Sequence, residues 1–205
     1  MKNKTSLQSL PIFLAFLIMG FGDVSGPLAS QLQQNFKLTE LMTSLVTFSG
    51  FIMFGLLSIP MGLYQDRKGK KHVLSLGLFF ALTGLILPIL GNYESFYLLL
   101  LGLLLLGAGA ATLQVSGNPI MRDVSPEGKY SRNLSFAQFV KGIGTLAGAL
   151  IPLMAAKYFG LDWKILFPIY SIFVALTIFF FMVTPIKERR DENEGTPATF
   201  NSCFS

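Results

Sequence analysis

One cysteine and one histidine in 205 residues leave little material for redox or metal chemistry. Cys203 alone closes no internal disulfide, and His72 has no neighbouring histidine or cysteine with which to build a ligand set, so no metal site is expected. Charge is scarce as well. Only 13% of the residues are Asp, Glu, Lys or Arg, against 52% hydrophobic residues and a mean hydropathy of +0.57. A water-soluble domain carries about 25% charged residues, so the solvent expected for this chain is a lipid bilayer. The net charge of +5 is not gathered on one face for nucleic acid. It falls in short patches between apolar runs, where an anionic inner leaflet attracts it, and no nucleic-acid partner is expected. Also missing are a nucleophile beside a base, a zinc-binding H-E-x-x-H and a phosphate-binding glycine loop, so neither an enzyme nor a cofactor is expected.

What the chain does have is long apolar runs. A spanning helix needs about 20 mostly apolar residues. Six segments qualify, at about 10–30, 43–64, 73–90, 96–121, 134–158 and 163–184. Backbone polar groups must be satisfied internally in lipid, so these runs are helices and the fold class is an all-α membrane bundle. The first run follows Met1-Lys2-Asn3-Lys4, but 27–29 is a poor cleavage site and further spans follow, so it is expected to be retained. Twelve of the lysines and arginines fall on one side of the implied topology. Three fall on the other (Lys37, Lys157 and Lys164), and Lys141 lies inside a helix. This bias places both termini in the cytoplasm of an inner-membrane protein. After residue 184 the composition turns abruptly charged, and 185–205 reads as a cytoplasmic linker.

Pro27 and Pro119, Gly50 and Gly142, and Pro60 and Pro152 are each 92 residues apart. An odd number of helices separates the members of each pair, which points to a 3+3 inverted repeat of the kind found in transporters. Small residues four apart, at Gly22/Gly26, Gly107/Ala111 and Gly144/Gly148, are expected at helix contacts.

Ionisable and amide groups inside a membrane are costly and mark candidate sites. Asp23 lies midway along the first run, among Gly20, Gly22, Gly26 and Pro27, which would loosen the helix and free carbonyls around an ion. It is either a coupling site or half of a structural salt bridge. Gln114 and Asn118 share one face of the fourth helix and either bind sugar hydroxyls or hold helices together. Gln138, Lys141 and Thr145 form a polar stripe on the fifth. Lys141 lies about 10 Å from the cytoplasmic end, at the depth of Gln114, and Asp23 about 20 Å from it. Lys141 is therefore a counter-charge to Asp23, a donor to substrate, or a side chain snorkelling to the interface. The cationic stretch 62–72 (Gly62, Asp66, Arg67, Gly69, Lys70, Lys71 and His72) reads as a tight connection between the second and third helices.

That connection resembles the G-x-L-a-D-R-x-G-R-K signature of the major facilitator superfamily. Gly22-Asp23, Leu113-Gln114-Val115-Ser116-Gly117-Asn118-Pro119 and Asn133-Leu134-Ser135-Phe136-Ala137-Gln138-Phe139 are similar to the fucose/glucose/galactose sugar:cation symporter branch, and the likeness covers essentially the whole chain. It implies the N-terminal half of a twelve-helix fold, with a C-terminal six-helix half as the missing partner. It also implies cation-coupled uptake of a hexose or similar small polar solute by alternating access. Asp23 would couple the ion, and Gln114, Asn118, Gln138 and Lys141 would contact substrate. The loop residues Gly62, Asp66, Arg67, Gly69, Lys70 and Lys71 would act with Arg122 as a conformational element, Asp66 pairing with Arg122. Proton-coupled fucose carriers have a glutamate where this chain has Gln114, which does not titrate. Asp23 is thus left as the ion site, with H⁺ or Na⁺ as the ion. A truncated chain, a six-helix carrier acting as a homodimer and a half-bundle that transports nothing are the alternatives for a chain of this length.

Overall fold

The computed structural model describes the backbone of residues 2–186 and the side chains from residue 9 onward. The linker expected over 185–205 therefore lies almost wholly outside the described residues. Within them the chain forms α1 (Lys2–Phe21), a 3₁₀ turn (Gly22–Val24), α2 (Ser25–Phe36), α3 (Glu40–Lys68) and α4 (Lys70–Leu90). It continues through α5 (Phe96–Val124), α6 (Tyr130–Phe159), a second 3₁₀ turn (Trp163–Ile165) and α7 (Leu166–Val183). No strand forms among these residues. Counting α1–α2 as one and the second 3₁₀ turn with α7, six helices are long and apolar enough to cross a membrane.

The helices run past the apolar segments because their polar ends are good helix ends. The Thr39 hydroxyl caps α3 by accepting from the Met42 N–H at 3.4 Å, Glu40 lies in the first turn, and Arg67 and Lys68 in the last, each complementing the helix dipole. The stretch 62–72 is consequently not a loop. Gly62–Lys68 completes α3, Lys70 opens α4, and Gly69 alone breaks the helix, at φ 92° and ψ 153°. An L side chain is strained there. Gly69→Ala is expected to lower stability by about 1–3 kcal/mol, read by denaturation in mixed micelles. Gly62→Ala, at a helical position with open space around it, should instead stabilise by up to about 1 kcal/mol.

The most buried spans are the first and fourth, and the least buried are the second and fifth. α1 lies on α5 and α6, α3 lies on α5, and α7 lies on α4 and α1. The pairing of the first span with the fifth is thus matched by that of the fourth with the second, the exchange an inverted repeat requires. Both crossings are made by bare backbone. A Cβ on Gly20 would collide with the Lys141 carbonyl, and one on Gly144 with that of Leu17. A Cβ on Gly107 would sit 2.6 Å from the Gly50 carbonyl. Of the small-residue pairs expected at contacts, Gly26 is the exception, since it faces open space. Gly142, the repeat partner of Gly50, is open too.

Phe21 stacks on Tyr170 at 3.5 Å and 7°, and the Tyr170 hydroxyl donates to the Gly144 carbonyl at 3.3 Å. Together they tie α7 to the α1–α6 crossing. α3 and α6 leave long apolar faces uncovered, with Phe48, Phe51 and Leu56 on one and Phe139, Leu146 and Leu150 on the other.

Candidate functional site

The first span loses its α-helical form at Asp23. Gly20 precedes the break and Gly22 opens it, and Pro27 has no N–H to offer the Asp23 carbonyl four residues back, so one bond of the helical ladder is absent by chemistry. The Gly22–Val24 turn results, and Asp23 sits in it, half-buried. Because Gly20 and Gly144 let α1 and α6 touch, the residue after Gly144 comes alongside: Thr145 Oγ1 donates to Asp23 Oδ2 at 2.9 Å. The same hydroxyl lies 3.3 Å from the Lys141 carbonyl, its helical back-bonding partner. With one proton to give, it goes to the closer, charged acceptor. Asp23 Oδ1 has no protein donor among the described residues.

One turn before Thr145, Lys141 Nζ donates to Gln114 Oε1 at 3.0 Å, bridging α6 to α5. Of the roles open to Lys141, the direct salt bridge to Asp23 is not formed. The ammonium is held by a neutral amide and the carboxylate by a hydroxyl. Asn118, one turn beyond Gln114 on α5, is half-buried, and its Oδ1 is enclosed without a hydrogen-bond donor. Gln138 is exposed on α6. Asp23, Gln114, Lys141 and Thr145 are therefore joined through two hydrogen bonds across three helices. Asn118 shares the α5 face with Gln114, and Gln138 stands outside the hydrogen-bonded group.

Two residues were missed as site members. Thr145 belongs to the polar stripe on α6, yet only the α1–α6 crossing singles it out as the partner of Asp23. Ser25, two residues past Asp23, has a buried hydroxyl without a partner, packed where Gly50 of α3 passes. A serine beside a proline-loosened turn was the available signal.

At the basic end the ion pair is Lys70 with Asp123. The ammonium reaches both carboxylate oxygens, at 3.1 and 3.2 Å. The implied Asp66–Arg122 pair is absent among the described residues, and both side chains are exposed, as is Arg67. Arg122 and Asp123 are about 100° apart around α5. α4 packs along α5 more closely than any other helix, and Asp123 is the member of the pair that meets it. The Asp123 side chain is 5% exposed and that of Lys70 is 21% exposed. Lys70→Ala strands a buried carboxylate and should cost on the order of 3 kcal/mol. Asp123→Asn leaves an acceptor in place and should cost less, a difference readable by thermal unfolding in detergent. Lys71 lies 5.7 Å from the centroid of the Phe181 ring.

The described residues thus form a polytopic helical bundle with a broken first span and a polar cluster at the meeting of three helices. The chain belongs to the Major Facilitator Superfamily, whose family model matches residues 12–202. It is 26% identical over 138 residues to an L-fucose-proton symporter of Haemophilus influenzae, covering 66% of this chain and 32% of that protein. It is 28% identical over 134 residues to a probable L-galactonate transporter of Escherichia coli, covering 63% and 27%. It is 27% identical over 191 residues to a glucose/galactose transporter of Brucella abortus, covering 87% and 46%. The matched stretches are thus less than half the length of each relative. The six spans correspond to the N-terminal half of the family fold.

Proposed function

We propose that the chain is the N-terminal half of a secondary active transporter that moves a sugar or sugar derivative together with a cation by alternating access. The observation that carries this is the cluster itself. Asp23 lies in a break in its helix, bonded to Thr145, with Lys141 and Gln114 joined beside it. The relatives' names, which cover neutral sugars and a sugar acid, support the solute class. Asp23 takes the coupling ion, and the L-fucose-proton symporter's name favours H⁺ over Na⁺. Protonation cancels the carboxylate's charge while Thr145 remains as a neutral partner. Gln114, Asn118 and Lys141 meet the solute, the amides offering donors and acceptors to hydroxyls and Lys141 donors only. The apolar faces of α3 and α6 are met by a second six-helix unit, against which this one rocks. The protein sits in the inner membrane with both termini inside, an orientation that the lysine and arginine bias supports.

The test is uptake into proteoliposomes containing the gene product, under an imposed pH gradient and, separately, an imposed Na⁺ gradient. Accumulation of a labelled sugar or sugar acid driven by the pH gradient is expected. Accumulation driven only by Na⁺ would overturn the choice of ion, and no accumulation under either gradient would overturn the transport reading.

A further inference from the structure

The first span carries more polarity than the cluster at Asp23 uses. Beyond Asp23, on the side that the transport reading makes the outer one, Ser30, Gln31 and Gln34 are exposed on α2. At about 100° per residue they share with Asp23 and Pro27 one face about 100° wide. The Gln31 amide has no hydrogen-bond partner among the described residues, and it lies about 8 Å inside the end of α2 at Phe36. An amide held there against lipid is costly, so this face is turned to water within the carrier.

A cavity of about 180 Å³ opens where the same face meets α6. Pro27, Leu28 and Gln31 of α2 line one side, and Gly148, Ala149 and Pro152 of α6 line the other. Gly148 still meets the Val24 side chain, but Ala149 and the two proline rings beside it are too small to fill the gap. The cavity lies one helical turn from the Asp23–Thr145 bond, since Pro27 is four residues past Asp23 and Ala149 four past Thr145. Lys141 and Gln114 lie on the opposite side of that bond, with Ala149 eight residues, about 12 Å, from Lys141.

We propose that this cavity is an outer solute subsite, an inference that rests on the transport reading above. Gln31 binds hydroxyls of the sugar there, and the apolar walls take the C–H face of its ring, before the solute reaches Gln114, Asn118 and Lys141. One amide both donates and accepts, which suits a hydroxyl pair. A mostly apolar pocket with a polar group that fixes orientation is the usual character of a small-molecule site. Such sites run to roughly 300–1,000 Å³, so the cavity is part of one. The second six-helix unit, met by the face of α6 on which Ala149 and Leu150 are exposed, supplies the remaining wall. Asp23 then stands between an outer and an inner subsite.

The test uses the gene product in membrane vesicles, with every native cysteine, Cys203 included, replaced by Ser and one thiol placed in the cavity by Ala149→Cys. The rate of maleimide labelling is read with fucose, glucose, galactose or galactonate added singly, and uptake of each is measured in parallel. A transported solute should slow labelling at least about fivefold. The slowing should persist with Lys141→Met, which removes an inner contact, and disappear with Gln31→Leu, whose labelling without solute should match the parent's. Slowing that vanishes with Lys141→Met belongs to the inner cluster and overturns the inference. Labelling that no transported solute slows overturns it too, as does a thiol left unreactive without solute because a side chain of the second unit fills the cavity. Slowing that survives Gln31→Leu overturns the role of Gln31. Each of these results leaves the transport reading standing, whereas uptake of none of the four solutes overturns that reading and the inference with it.

Discussion

Asp23→Asn is expected to abolish accumulation against a gradient while leaving exchange of solute across the membrane. The amide keeps an oxygen that can accept from Thr145, so the contact between α1 and α6 is preserved, but it cannot take up and release a proton near neutral pH. A pH gradient of about two units stores about 2.7 kcal/mol per proton, enough for about 100-fold accumulation in a 1:1 cycle. Proteoliposomes bearing the wild-type protein should approach that limit, whereas the variant should equilibrate at a ratio of about one. Counterflow, which needs no net proton movement, should persist. Loss of counterflow together with accumulation would make Asp23 a folding or binding residue. Full accumulation by the variant would remove it from coupling altogether.

Gly144→Val carries the second large effect, and it acts through packing. A Cβ at this position meets the Leu17 carbonyl, and Gly20 faces Lys141 in the same way. Backbone offers no rotamer by which to yield, so the helices must separate. Overpacking of ordinary side chains costs about 1–3 kcal/mol. With main chain on both sides, and without a hydrophobic force to hold helices together in lipid, the loss here should lie at or above the top of that range. The separation would also part Thr145 from Asp23 and Tyr170 from the Gly144 carbonyl. Gly142→Ala is the matched control. It lies on the same helix with nothing within 4 Å of the added Cβ, and it should stabilise by up to about 1 kcal/mol through helix propensity. Thermal unfolding in detergent should move in opposite directions for the two variants.

The difference between these glycines also shows what the sequence makes legible. Six spans could be read from run length, because the bilayer imposes a single requirement on each. The weak point of the first helix was legible because Pro27 removes a particular hydrogen bond. Facing angles were not, since they depend on how helices roll against their neighbours. Gly142, Gly144 and Gly148 look alike as letters, yet Gly144 touches another backbone, Gly148 meets Val24, and Gly142 meets nothing. The same ambiguity governs charge. Counting residues placed Lys141 at the depth of Gln114, but depth alone does not name that amide as the group it bonds. At the basic end one residue of register decides that Asp123 rather than Arg122 turns toward α4. The stretch 62–72 looked like a loop because it is charged, although Gly69 is the one residue there whose backbone leaves the helix.

In the proposed cycle the polar cluster at the meeting of α1, α5 and α6 binds solute and coupling ion together. Linkage makes this measurable without a membrane, because a solute that binds the protonated site better must draw protons from solution as it binds. Purified gene product in weakly buffered detergent, titrated with its transported solute, should take up as much as about one proton per molecule at a pH where Asp23 is ionised in the absence of solute. Asp23→Asn should still bind solute, seen by calorimetry, and take up none. Solute binding without proton uptake in the wild-type protein, or equal proton uptake in the variant, would contradict the account.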